Sequence, residues 1–247
     1  MTTGMHAASE FSRASQLHLE TVAVCTAILV ALCLAGRRAA RHSPAAERRL
    51  RRAWAVLLAG GHAVSLVSIC TSRFFDPSWA LPLHLCHAAV IPVGLGLWFE
   101  SPRARTLAYF WALGLSSQAF FTPILTEGPD SLFFWTFWGD HTTLCGGAAY
   151  IVFVCGYRPR PEDARFAFLA TLGYAALVLP LDLYMDWNYG FVGRHELPGT
   201  LLEWFPPWPW RLLVLGGVVA LWFALLTGVW GFVERIRSTL RVASTRQ

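Results

Sequence analysis

The stretch WRLLVLGGVVALWFALLTGVWGFV, residues 210–233, decides the class of protein. Apart from Arg211 near its start it is free of charge. As a helix rising ~1.5 Å per residue it is long enough to cross the ~30 Å hydrocarbon core of a bilayer. Comparable apolar runs lie at Leu19–Ala35, Ala53–Cys70, Trp79–Phe99, Thr106–Ile124, Ser131–Tyr157 and Arg165–Trp187. Backbone polar groups in lipid must be satisfied within the segment, so the runs are predicted to be helices. The expected fold is all-α: a polytopic membrane helical bundle with about seven transmembrane helices, forming one domain over residues 1–247.

Composition points the same way. Of 247 residues 55% are hydrophobic and 14% charged, and the mean hydropathy is +0.45, values that suit lipid as the solvent. All twenty basic residues are arginine and the net charge is +5. These arginines sit between apolar runs and form no groove-sized patch, so no nucleic-acid partner is expected. Membrane lipids are the expected partners.

Sixteen arginines fall on one side of the predicted spans: Arg37 to Arg52 in the first connection, Arg103 and Arg105 in the third, Arg158 to Arg165 in the fifth, and Arg235 to Arg246 in the tail. Cytoplasmic loops collect positive charge, which places the amino terminus outside and the carboxyl terminus in the cytoplasm of a cell membrane, a bacterial inner membrane fitting best. The first run lacks a small-residue cleavage site and reads as a retained helix. The long connection Asn188–Pro209, with Pro198-Gly199 and Pro206-Pro207-Trp208-Pro209, cannot continue a helix and lies on the outer face. Cys25, Cys33, Cys70, Cys86, Cys145 and Cys155 lie in apolar stretches without CxxC spacing, so no disulfide framework is expected, and no cofactor.

Polar groups inside apolar runs are costly and mark candidate sites. The third run carries Leu81-Pro82-Leu83-His84-Leu85-Cys86-His87, which counting from Trp79 puts Cys86 about 10 Å below the outer interface. The fifth carries Trp138-Gly139-Asp140-His141-Thr142, with His141 about 15 Å down. The sixth reaches the outer side through Asp182, Asp186 and Asn188-Tyr189. His84 and His87, three apart, share a helix face and Cys86 points away from them, so His141 is the better base for a Cys86 thiolate unless Pro82 distorts the turn. Ser117 and Gln118 in the fourth run suit interhelical hydrogen bonds. His62 and Glu20 read as structural or interfacial groups, and the tryptophans at span ends as interface anchors.

The order Leu-Pro-Leu-His-Leu-Cys, then Gln118-Ala119-Phe120-Phe121-Thr122-Pro123, an aromatic run closing on His141, Asn188-Tyr189, and Pro207-Trp208-Pro209-Trp210 resembles the YwaF-type bacterial integral membrane proteins, which are similar to vertebrate transmembrane protein 164. The resemblance covers Trp79 to the last helix. It implies seven helices and, through the vertebrate relative, phospholipid acyl transfer by a cysteine nucleophile. Cys86 would match that cysteine, His84 its motif neighbour and His141 the histidine of the fifth helix. This chain departs from the pattern at Asp182, where Asn is expected, at Pro206 and at Arg211.

The candidate catalytic residues are thus Cys86, His141, His84 and Asp182, with Asp182 or Asn188 orienting the histidine or the oxyanion. Gln118, Asn188, Tyr189 and Trp208 are candidate substrate contacts. Two alternatives stay open. One is a zinc-dependent membrane hydrolase using His84, His87, His141 and Asp182, although the last run has no histidine. The other is a transporter, channel or sensor, which the apolar stretches Val90–Phe99 and Leu144–Val154 disfavour.

Overall fold

A computed structural model describes residues 11–73, 75–195 and 201–244. Its elements are α1 (Gln16–His42), α2 (Pro44–Cys70), the single turn α3 (Pro77–Ala80), α4 (Leu85–Trp98), α5 (Pro102–Leu107), α6 (Leu132–Phe153), α7 (Pro161–Met185) and α8 (Trp210–Ser244). Beyond its last α turn, α5 runs on as a π-helix over Ala108–Leu115 and a 3-10 helix over Ser116–Phe120. Among the described residues there is no β-strand. Each predicted apolar run has a helical counterpart, and the protein is a helical membrane bundle.

Five segments are long and apolar enough to cross a membrane: α1, α2, the stretch from α3 through α4, α7 and the first part of α8. The other two predicted spans are built differently. The fourth changes helix type twice, and α6 mixes its apolar residues with Trp135, Thr136, Trp138, Gly139, Asp140, His141, Thr142 and Thr143.

The first two helices extend well past the apolar runs because arginine is a good helix former and continues a helix into the aqueous phase. They form a hairpin on a single residue. Ser43 ends α1, and its side chain accepts from the amides of Ala45 and Ala46 to cap α2, where Pro44 occupies the first turn at no cost. The loss at Pro82 is more consequential. The third predicted helix is interrupted: Leu81 is extended (φ −73°, ψ 152°) and His84 is the N-cap of α4. The residue before a proline is pushed out of the α region, which explains the break.

The core packs α2, α4, the α5 segment and α6 around Val93, Leu97, Ala108, Phe110, Leu144, Ala148 and Ile151, all buried. Small residues permit the close approach, because a β-carbon on Gly147 would stand 2.6 Å from Val93 Cγ1. The helix α8 packs on α7 and on the π-helix, with Phe223 buried and Trp222 donating to Gly114 O at 2.8 Å. Large apolar side chains such as Leu177, Leu213, Leu221 and Phe232 face outward, as lipid requires.

The arginine-bearing ends gather at one end of the bundle. Arg51 binds Glu47, Glu100 and the carbonyl of Leu97, Arg105 reaches Glu100, Arg37 reaches Phe153 O, and Tyr150 donates to Glu47. At the opposite end Phe11, which a polar amino terminus gave no reason to expect inside, is buried against Phe134 and Trp138, and His18 contacts Phe120 O.

Candidate functional site

Cys86 occupies the first turn of α4, because the break at Leu81–His84 moves the helix start to Leu85. The amides of Cys86 and His87 lie against its sulfur. A helix N-terminus carries N–H groups without intrahelical partners, and these face the sulfur and its surroundings. Cys86 is partly buried, packed against the edge of the hydrophobic core.

The turn before it is held from two sides. Tyr189 accepts from Leu81 N (2.9 Å) and donates to Pro77 O (2.6 Å), and Tyr174 donates to Leu83 O (2.6 Å). Asp182, 1% exposed, accepts the Tyr189 amide at 3.0 Å through Oδ1, while Oδ2 has no partner among the described residues. Asp182 therefore holds Tyr189 and not an imidazole, and the Tyr189 ring in turn packs on His84 with centroids 4.7 Å apart.

Four histidines from three helices surround this turn. His84 and His87 have ring centroids 6.0 Å apart, and His87 and His62 5.0 Å. Asp140 Oδ2 lies 3.5 Å from His62 Nδ1 and Asp140 Oδ1 accepts from Ser65 at 3.0 Å. His141 is within electrostatic reach of His84, His87 and His62. Its Nδ1 meets Phe137 O at 2.8 Å. A carbonyl only accepts, so Nδ1 carries the proton and Nε2 is left as the basic nitrogen.

Among the described residues no hydrogen bond joins the Cys86 thiol to His141. Asp140 is the group within electrostatic reach of both. The structure thus brings Cys86, His84 and His141 into one neighbourhood and sets Asp182 and Tyr189 behind it. Asn188 closes its own loop, accepting from Gly193 N (2.9 Å) and donating to His195 O (3.0 Å). Trp208 donates to Val192 O at 3.3 Å and lies under the Arg194 guanidinium. Gln118 is exposed near the carboxyl end of the α5 segment, and among the described residues no side-chain hydrogen bond joins it to the histidine cluster.

Two residues escaped sequence reasoning. His62, read as structural, is in the cluster, and Asp140, visible beside His141, had no role. The signal was present in α2 as His62 and Ser65 one turn apart, both facing α6. The zinc alternative needed Asp182 to converge with His84, His87 and His141. Asp182 is turned to Tyr189 instead, and among the described residues no three His, Cys, Asp or Glu side chains are placed to hold one ion.

A bundle with an apolar outer surface and an interior centre of four imidazoles, a carboxylate and a thiol is a multi-pass membrane protein with a buried polar site. The TMEM164 family model matches residues 11–227, and the chain belongs to that family. No curated protein and no solved structure matches it.

Proposed function

We propose that the protein transfers acyl groups between membrane lipids through a thioester on Cys86, with His141 as the base. The observation that carries this reading is the placement of a partly accessible cysteine in the first turn of a helix, beside a histidine cluster. The Cys86 thiol gives its proton to His141 Nε2 as the sulfur adds to a lipid ester carbonyl. The carbon–oxygen ester bond then breaks, the departing alkoxide takes the proton, and the acyl group stays on sulfur. An acceptor hydroxyl attacks the thioester and releases the thiol. His84, Asp182 and Tyr189 position the turn, while Gln118, Asn188 and Trp208 are outer-side candidates for lipid contact.

Transport fits less well. Below the cluster, among the described residues, the interior is filled by Val93, Leu97, Leu144, Ala148 and Ile151, all 2% exposed or less, an apolar plug where a solute path would need polar groups.

Purified protein in nanodiscs, given a phospholipid with a labelled acyl chain, tests the reading. Wild type is expected to form a hydroxylamine-sensitive acyl adduct on Cys86 and to transfer the label. Cys86→Ala should abolish both, and His141→Gln should slow adduct formation about 100-fold or more. Full transfer by Cys86→Ala would end the thioester scheme.

A further inference from the structure

We infer that the His62–Asp140 pair is a second acid–base group, which activates the acceptor hydroxyl that approaches through a groove between α2 and α6. The inference rests on the thioester reading and assigns the second half of that reaction.

The groove opens at the outer end of the bundle as a cavity of about 250 Å³ whose walls include Ser68, Ile69 and Ser72 from α2 and the segment after it, and Ser131, Phe133 and Thr136 from the start of α6. Ser65, Ser68 and Ser72 stand at i, i+3 and i+7, and Phe133, Thr136 and Asp140 repeat that spacing, so each set lines one helix face. One turn further along the same faces, beyond the residues that line the cavity, Ser65 donates to Asp140 at 3.0 Å. One turn below Ser65 is His62, its Nδ1 3.5 Å from Asp140 Oδ2.

Asp140 stands at ion-pair distance from Nδ1 without a hydrogen bond to it, and a carboxylate so placed stabilises an imidazolium, which suits the ring to exchange a proton with a substrate. Among the described residues nothing hydrogen-bonds His62 Nε2. The His62 ring is 5.0 Å from that of His87, and its partner Asp140 is within electrostatic reach of Cys86. His141, by contrast, is the base assigned to the thiol. The occupant that fits is a single-chain amphiphile with a free hydroxyl, since Ile69, Leu132 and Phe133 offer apolar contact along the cavity. In the step, the acceptor hydroxyl loses its proton to His62 Nε2 as its oxygen bonds to the thioester carbonyl. The carbon–sulfur bond breaks, and the proton passes to the departing thiolate.

Single-turnover kinetics separate the halves. Cys86 is loaded from a labelled diacyl phospholipid, and a single-chain glycerophospholipid with one free hydroxyl is then added. Asp140→Asn and His62→Gln should load within about threefold of wild type and transfer about 100-fold more slowly. The double variant should be no slower than either single one, as for groups acting as a unit. Ser68→Trp, which fills the groove and leaves the pair in place, should load normally and transfer poorly. Asp140→Glu should recover part of the transfer rate.

Equal transfer rates in the variants and wild type would overturn the assignment. Equal losses of loading and transfer would also overturn it, by moving the pair to the first step. If wild type itself never loads Cys86, the thioester reading has failed and takes this inference with it.

Discussion

Tyr189 ties three parts of the site together with one side chain. Its amide is held by Asp182, its ring covers His84, and its hydroxyl joins Pro77 and Leu81. Replacing it by phenylalanine keeps the ring and leaves the Leu81 amide without a partner just ahead of the nucleophile. Tyr189→Phe is therefore expected to cost about 1–3 kcal/mol of stability, the range for an orphaned buried polar group. It should also slow Cys86 acylation while Km changes little, read from thermal unfolding in detergent and adduct kinetics. At this scale the sequence exposed Cys86, His84 and His141 as polar groups in apolar runs. It did not expose His62, because a lone histidine in a helix looks alike whether it faces lipid or a carboxylate on another helix.

Among the elements, close packing of α4 on α6 sets the distance between the cysteine and the histidines. Gly147 allows it, since a β-carbon there would meet Val93 Cγ1 at 2.6 Å and Leu97 Cδ1 at 3.1 Å. Gly147→Val should push the helices apart, lower stability by about 1–3 kcal/mol as overpacking does, and reduce acyl transfer without touching the site. Thermal unfolding and activity measured together check this. At the other end of α4, Glu100 has a left-handed backbone (φ 60°) and bridges Arg51 at 2.7 Å and Arg105 at 3.1 Å. Burial alone would raise its pKa, but the two guanidiniums outweigh that and hold the carboxyl below the ordinary glutamate range. An acid with a depressed folded pKa adds stability above its unfolded value, near ~4.3, and loses it as pH falls through the folded value. Wild type should thus be more stable than Glu100→Gln at pH 7, and melting temperatures of the two should converge as pH falls through the depressed folded value, below the ordinary glutamate range.

Over the whole molecule, arginine distribution and helix packing describe the same two ends. Arg51, Arg105 and Arg37 meet at one, and the histidine cluster lies toward the other. By the positive-inside rule the first end is expected to be cytoplasmic and the site to face outward. Cys70, exposed at the end of α2, lies on the outer side in this arrangement. A membrane-impermeant maleimide should label Cys70 in intact cells and should not label a cysteine placed at Arg49 until the membrane is opened. The reverse pattern would invert the topology.

The spans, their order and their charge asymmetry could be determined from the amino-acid sequence by itself, because each rests on local hydropathy and on which loops carry arginine. Pro82 also announced a disturbance there, though not its extent. What only the tertiary structure decided is that the helix restarts at Leu85 so that Cys86 opens it, that Asp182 serves Tyr189, and that His62 and Asp140 meet. These depend on contacts between residues as far apart as 62 and 140 or 81 and 189, and such contacts follow from how helices rotate and pack, which no local pattern encodes.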